Sequence, residues 1–297
     1  MTDKARNDQL EGNLPNLRNL LVNGGFEVWQ RGVGPFTVNG KYTADEWQIS
    51  RFLGSETLSV SRDASPKIGL YDAICTAVTA PGGSVGIKQG IENYKSYEGL
   101  YVTFSAWVKT STSSAVQLVI EDNSGVGGGG EISDPHTGSG NWERLTVSKR
   151  IQTGLVGTAL LPHSSAIGIS IASSASATFQ ADGASLVVGN FPGGVPYDLV
   201  PSGEDLGRCQ RFYYKSKGAI GRHVDGPLVA QNMHTIPFPS PMAAIPTITL
   251  SNIVFAGTGT PPLTGTANDL RSWALGLTNL MGPSYAEAQY DVEIAVP

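Results

Sequence analysis

The sequence is poor in charged residues and has no long apolar run. Charged residues make up 15% of its 297 residues and the formal net charge is −5, so the chain lacks the basic surface that binds nucleic acid. No apolar run reaches the roughly 18 residues of a membrane span. The polar N-terminus also lacks the hydrophobic stretch of a secretory signal. We therefore expect synthesis in the cytoplasm, no nucleic-acid partner and no membrane insertion.

Residues and motifs that carry catalysis are equally scarce. The two cysteines, Cys75 and Cys209, lie in different regions and are predicted to be buried thiols rather than a disulfide. The four histidines fit no zinc pattern, and neither Cys-x-x-Cys nor Gly-x-Ser-x-Gly occurs. Glu121 and Asp122 are adjacent, so on a strand they point to opposite faces and cannot flank one sugar. The sequence predicts a protein that is not an enzyme; a hidden pair of facing carboxylates is the alternative.

What the sequence does contain is many short apolar runs between glycine-rich turns, with 37 glycines and 18 prolines. Residues 101–109 alternate, with Val102, Phe104, Ala106 and Val108 on one face, and 115–120 is an apolar run typical of a central strand. Similar patterns recur over 19–192. The runs 19–29 and 181–189 bracket this region, as the paired first and last strands of a closed β-sandwich would.

The C-terminal third has a different pattern. Residues 193–203 form a linker by their proline and glycine content. Ser202 can cap a helix, with Asp205 as a capping-box-like partner three residues later. The residues predicted to share one side of this helix are Leu206, Cys209 and Tyr213, with Phe212 alongside. Strand patterns return after Gly218, so 204–297 is predicted to be a second, smaller domain of one helix and about six strands.

Residues 1–18 are polar, and Gly12 and Pro15 interrupt any helix there. A segment of this kind has no core of its own. We predict an arm that anchors the chain on a partner or on a neighbouring subunit; a disordered tail is the alternative.

Exposed aromatic rings beside polar side chains are the residues that bind sugars, because rings stack on sugar C–H groups while hydroxyls need polar partners. Tyr94, Tyr97 and Trp142 lie in such surroundings and are the candidate glycan-binding residues. The alternative for the two tyrosines is that they cover a turn. The other tryptophans of strand-like segments, Trp29, Trp47 and Trp107, are predicted to be core residues.

Five short segments resemble the jelly-roll carbohydrate-binding modules. They are Asn-Gly-Gly-Phe-Glu-Val-Trp at 23–29, Ala-Asp-Glu-Trp at 44–47, Phe-Ser-Ala-Trp-Val-Lys-Thr at 104–110, Asn-Trp-Glu-Arg-Leu-Thr at 141–146 and Asp-Gly-Ala-Ser-Leu at 182–186. Two later segments, 204–215 and 237–247, resemble those that follow such a module in bacteriophage tail-fibre and virion-attachment proteins. The resemblance implies an all-β fold, a jelly-roll β-sandwich followed by a smaller β-rich domain with one helix.

The same resemblance implies a function and its partners. The chain is expected to be a fibre or spike protein of a virion or phage-derived particle, a homotrimer that joins other virion proteins through 1–18 and binds host surface polysaccharide. A structural connector or decoration protein without receptor binding is the alternative. No cofactor is required, but Glu27 and Asp182 match the carboxylates that hold a structural calcium ion in these modules. Two exposed or hydrogen-bonded carboxylates at strand ends are the other interpretation.

Overall fold

The computed structural model describes residues 18–52, 54–124, 128–195, 202–224, 232–257, 263–267, 269–277 and 284–296. The predicted arm, apart from residue 18, and residues 196–201 of the predicted linker lie outside these ranges. The described residues form two compact units. The first contains the chain up to Glu27, Val33–Thr43 and the residues from Trp47 to 195. The second contains Val28–Gly32, Ala44–Glu46 and the residues from 202 onward.

The first unit is a sandwich of two five-stranded antiparallel sheets. Its strands are β1 (Gln48–Arg51), β2 (Thr57–Asp63), β3 (Asp72–Val78), β4 (Val85–Gly90), β5 (Tyr101–Thr110), β6 (Val116–Asn123), β7 (Gly128–Ile132), β8 (Trp142–Arg150), β9 (Ile167–Ser173) and β10 (Ala177–Val188). One sheet has the order β1-β4-β9-β6-β7 and the other β2-β3-β10-β5-β8. The predicted all-β fold with a jelly-roll sandwich is confirmed.

The core of the sandwich follows from alternation along the strands. Val102, Phe104, Ala106 and Val108 of β5 are all buried, as the pattern of 101–109 predicts. Strand β6 lies between β9 and β7, so the central strand predicted from the run 115–120 is confirmed. Its Val116, Leu118, Ile120 and Asp122 are buried and its odd-numbered residues are half-buried, because only one of its faces meets the opposite sheet. Each large apolar side chain removed from water contributes about 1.5–3 kcal/mol.

The two bracketing segments do meet, although 19–29 is irregular rather than a strand. The Leu20 amide donates to the Leu186 carbonyl at 2.8 Å, and the Ala184 amide donates to the Gly24 carbonyl at 2.8 Å. Asn23 and Phe26 have φ values of 54° and 55°, which break the extended conformation. Only glycine fits at position 24, since a Cβ there would lie 2.1 Å from the Ala184 carbonyl oxygen.

The second unit contains the helix α1 (Ser202–Cys209) and two three-stranded antiparallel sheets. The strands are β11 (Tyr213–Val224), β12 (Asn232–Pro237), β13 (Thr247–Gly257), β14 (Leu263–Ala267), β15 (Ser272–Leu277) and β16 (Ser284–Ala295). The sheet orders are β11-β16-β13 and β12-β15-β14. Its hydrophobic core consists of Phe238, Met242, Trp273, Leu275, Tyr290, Val292 and Ile294.

The helix is shorter than the sequence predicts. It ends at Cys209, and Tyr213 already pairs with Ala295 as the first residue of β11. Tyr213 is buried, and the Arg31 guanidinium carbon lies 3.6 Å from the centre of its ring. The predicted apolar side is also wrong at Leu206, which is 36% exposed, whereas Asp205 is buried and pairs with Arg208 at 3.7 Å.

Both thiols are free and buried, as predicted. Within the described ranges, no helix has the length and apolar character needed to cross a membrane.

Candidate functional site

The outer face of the sheet β2-β3-β10-β5-β8 carries a row of polar and aromatic side chains. Across the five strands, Ser61 pairs with Ile74, Ile74 with Gln180, Gln180 with Lys109 and Lys109 with Trp142. Their sequence neighbours Val60, Cys75, Phe179 and Val108 are buried in the sandwich. Because successive residues of a strand point to opposite faces, this row faces outward.

A second row lies beside it. Asp63 pairs with Asp72, Asp182 pairs with Trp107, and Trp107 pairs with Arg144. Together the rows place two indole rings next to cationic and amide side chains on neighbouring strands. We call Trp107, Lys109, Trp142, Arg144 and Gln180 the tryptophan face; all five side chains are half-buried.

A shallow cleft of about 220 Å³ opens on this face. Its lining includes Ile74, Lys109, Ser111, Gly140, Thr178 and Gln180. Trp142 does not line the cleft itself, but it pairs with the lining residue Lys109 across β5 and β8. The cleft therefore offers hydroxyl, amide and ammonium groups together with the apolar residues Ile74 and Phe179.

The loop before β8 is held in place by Glu143. Its carboxylate accepts hydrogen bonds from the Thr137 amide at 2.9 Å and from the hydroxyls of Thr137 and Ser139. Desolvation opposes ionisation, but these hydrogen bonds outweigh it and lower the pKa of Glu143 to about 2. The buried His136 ring accepts from the Gly138 amide at 2.8 Å through Nδ1. These contacts fix the backbone from which the Trp142 ring projects.

Two lysines lie over the indoles. Lys67 Nζ is 4.8 Å from the centre of the Trp107 ring, and Lys109 Nζ is 6.0 Å from that of Trp142. Both distances are within or at the limit of a cation–π contact. The aromatic part of the face is consequently also its cationic part.

Carboxylates occupy the other side of the face. Gln180 Nε2 donates to Asp63 at 3.0 Å and to Asp72 at 2.9 Å. Asp72 is buried, and its Oδ1 has no hydrogen-bond partner in the described structure. Burial, together with the neighbouring Asp63 charge, raises the pKa of Asp72 to about 6.

Glu27 and Asp182 converge on one turn, residues 67–70. Asp182 accepts from the Ile68 amide at 2.6 Å, and Glu27 accepts from the Leu70 amide at 2.7 Å. The turn approaches so closely that a Cβ on Gly69 would lie 2.0 Å from Glu27 Oε1. Asp182 is fully buried, and burial raises its pKa to about 7. Both carboxylates thus accept backbone hydrogen bonds, which is the alternative to a calcium site that the sequence left open.

The two carboxylates alone would not complete such a site. Calcium takes six to eight oxygen ligands. Among the described residues, no group of three or more histidine, cysteine or acidic side chains is placed to hold a metal. Backbone carbonyls and water would have to supply the remaining ligands.

The three predicted glycan-binding residues are not neighbours. Tyr94 and Tyr97 are half-buried in a 3-10 turn that precedes β5, near Tyr101, whereas Trp142 pairs with Lys109. Eight residues of extended strand separate Tyr101 from Lys109, a distance of roughly 26 Å. The tyrosines and Trp142 therefore lie at opposite ends of the sandwich.

The predictions for the remaining tryptophans were correct in part. Trp29 and Trp47 are buried, and Trp47 Nε1 donates to the Asn23 carbonyl at 3.0 Å. Trp107 is not a core residue, because the alternation of β5 places it on the outer face with Thr103 and Ser105. That alternation was the available signal for Trp107. The sequence contains no comparable signal for Arg144 and Gln180, since only the register of the strands brings them close to the indole rings.

No protein-family model and no curated protein matches the chain. Solved structures do match. The CBM22-1 xylan-binding domain of Xyn10C from Paenibacillus barcinonensis aligns with 58% of this chain and 95% of its own, with 16% identity and a TM-score of 0.38. A putative sugar binding protein from Bacteroides thetaiotaomicron aligns with 58% of this chain and 100% of its own, with 12% identity and a TM-score of 0.40. The enzymatically active domain of tailspike protein 4 of bacteriophage CBA120 aligns over 57% of this chain and 21% of its own, with 12% identity and a TM-score of 0.37.

Proposed function

We propose that this protein binds glycans without cleaving them, and that the tryptophan face is the binding surface. The observation that carries the proposal is the half-buried Trp142, which pairs with Lys109, a residue of the cleft that Ser111, Thr178 and Gln180 also line. An indole stacks on the C–H face of a sugar while the amide, hydroxyl and ammonium groups bind its hydroxyls.

The environment of the strongest sequence candidates for catalysis supports a role in binding alone. Glu121 is half-buried and faces Lys88, and burial raises the pKa of its carboxyl group. Asp122 points to the opposite face, where it accepts from the Gln152 amide at 2.9 Å and lies 3.6 Å from Lys149. The two carboxylates therefore serve separate packing roles and do not face a common substrate.

The wider role that we propose is attachment of a virion fibre or spike to polysaccharide on the host surface. The resemblance of segments 204–215 and 237–247 to phage attachment proteins supports it. Residues 1–18 would join other virion proteins, and three copies of the chain would assemble. Each sugar contact exchanges water for protein with a small net gain, so several linked sites would supply the affinity through avidity.

We also propose a structural calcium ion between Glu27, Asp182 and the turn at 67–70. Its role would be to neutralise the buried Asp182 and to tie the N-terminal segment to the turn and to β10. The ion would stabilise the sandwich and take no part in chemistry.

A connector role without receptor binding has one observation in its favour. The second unit exposes large apolar side chains, among them Ile245 at 64% and Val254 at 62%. Such residues suit a contact with another particle protein.

The test is retention of purified protein on bacterial cells and on their isolated surface polysaccharides. The proposal expects retention of the wild type, loss for Trp142→Ala, and no change for Tyr94→Ala at the other end of the sandwich. If a multivalent form of the wild type is retained by none of the hosts assayed, the receptor role fails and the connector role remains.

A further inference from the structure

The charges around the two indoles indicate which class of glycan the tryptophan face binds. We infer that the ligand is an acidic polysaccharide whose carboxylate groups pair with Arg144 and Lys109. The inference rests on the proposed function, because it concerns the same surface.

Arg144 is the first reason. Its side chain is half-buried beside Trp107, and its guanidinium carbon lies 3.4 Å from the position of a Cβ on Gly194. The structure gives it no hydrogen bond and no ion pair with any described residue. Burial lowers the pKa of this guanidinium without removing its charge. A partly desolvated cation without a partner is costly, and a ligand anion would supply the missing hydrogen bonds.

The two lysines are the second reason. Lys67 and Lys109 contact indole rings and form no ion pair within the described parts of the chain. Arg144, Lys109 and Lys67 therefore bring three unpaired cations to the aromatic half of the face. This is notable in a chain whose net charge is −5.

The carboxylates of the same face do not cancel these charges. Asp63 and Asp72 lie on β2 and β3, and Gln180 holds both through its amide. Asp182 is engaged by the turn at 67–70 through the Ile68 amide. Among the described residues, none of these three carboxylates forms an ion pair with Lys67, Lys109 or Arg144, so the β5–β8 side of the face keeps its positive charge.

A neutral glycan would need none of these cations. Amides and hydroxyls bind sugar hydroxyls equally well, and an ammonium or guanidinium group that donates to a neutral hydroxyl leaves its own charge without a counter-ion. A carboxylate on the sugar uses both the charge and the planar fork of Arg144, which can donate two parallel hydrogen bonds.

The experiment compares three acidic polymers, namely polygalacturonate, alginate and hyaluronate, each with the neutral polymer obtained by reducing its carboxyl groups. Dissociation constants for immobilised polymer are measured at low and high salt. We expect at least one acidic polymer to bind roughly 10- to 100-fold more tightly than its reduced form, since a charge-assisted hydrogen bond is lost. We also expect that salt weakens this preference.

Four variants identify the cations responsible. Arg144→Gln and Lys109→Gln should each abolish the preference for the acidic polymer while the melting temperature, measured by circular dichroism, confirms folding. Lys95→Gln makes the same charge change at an exposed position of the distant 3-10 turn and should have no effect. Arg144→Lys should restore part of the preference.

Each outcome decides the inference. Equal binding of an acidic polymer and its reduced form, or an unchanged preference in Arg144→Gln and Lys109→Gln, overturns the acidic specificity. If the polymers bind equally well and Trp142→Ala abolishes that binding, the acidic specificity fails but the proposed glycan-binding function is supported. Failure of all three acidic polymers to bind also overturns the inference.

Discussion

The side-chain amide of Gln180 donates a 2.9 Å hydrogen bond to the buried carboxyl group of Asp72. The pair joins β10 to β3 on the outer face of the first unit, and the same amide also reaches Asp63. One glutamine thus holds two acids whose charges repel, next to the cations of the tryptophan face.

Asp72 makes the stability of the first unit depend on pH. Its folded-state pKa of about 6 is above the ordinary aspartate pKa of 3.8, so the folded protein binds the proton more tightly than the unfolded chain does. The resulting stabilisation is fully present below about pH 4 and is lost as the pH rises through 6. Asp72→Asn should raise the free energy of unfolding at pH 8 by on the order of 1 kcal/mol and change it little at pH 4.

The measurement is urea denaturation at both pH values. Asp134→Asn is the control, because Asp134 is exposed and the substitution should be neutral throughout. Equal effects of Asp72→Asn at pH 4 and pH 8 would show that the carboxyl group titrates normally.

Calcium should stabilise the sandwich through Asp182. The folded-state pKa of about 7 means that, without a metal, stability is lost as the pH rises through 7, and a bound divalent cation would reverse this penalty. Scanning calorimetry at pH 8 should show a higher melting temperature with calcium than after chelation. Asp182→Asn should abolish the difference, and Asp134→Asn should retain it. A wild-type melting temperature that does not change after rigorous calcium removal contradicts the metal proposal.

Alanine substitutions at two residues on opposite faces of β5 should differ sharply in their effect on the free energy of unfolding. Phe104 is completely buried between the sheets, and Phe104→Ala should cost about 3–5 kcal/mol because it leaves a cavity. Tyr101 on the opposite face is 45% exposed, and Tyr101→Ala should cost about 0.5 kcal/mol or less. Denaturant titration of both variants tests the assigned faces; similar losses would mean that the register of β5 is wrong.

Gly24 should tolerate no side chain. Its Cβ would meet the Ala184 carbonyl oxygen at 2.1 Å, so Gly24→Ala must push the N-terminal segment away from β10 and break the Ala184–Gly24 hydrogen bond. We expect a loss of about 2 kcal/mol or more. Gly130→Ala is the matched control, since no atom lies within 4 Å of its Cβ position. A neutral Gly24→Ala would indicate that the two segments are not in contact.

Local pattern was sufficient for the sandwich and insufficient for the binding surface. The alternation of 101–109 predicts both the buried face of β5 and the outward position of Trp107, although the preference of tryptophan for cores suggested otherwise. The aromatic spacing after Cys209 fits a helix, but pairing of Tyr213 with β16 outweighs that local preference. Trp142 and Gln180 become neighbours only because β5 lies between β8 and β10, and no local pattern encodes that order.

The central claim, that the Trp142 ring forms part of a glycan-binding surface, is tested most directly by affinity. Dissociation constants for purified host polysaccharides should rise about tenfold or more in Trp142→Ala, because stacking of the C–H face of the sugar on the indole ring is lost. Trp142→Phe should recover part of the affinity, and Tyr97→Ala should match the wild type. Equal affinity of Trp142→Ala and wild type for every bound glycan would contradict the account.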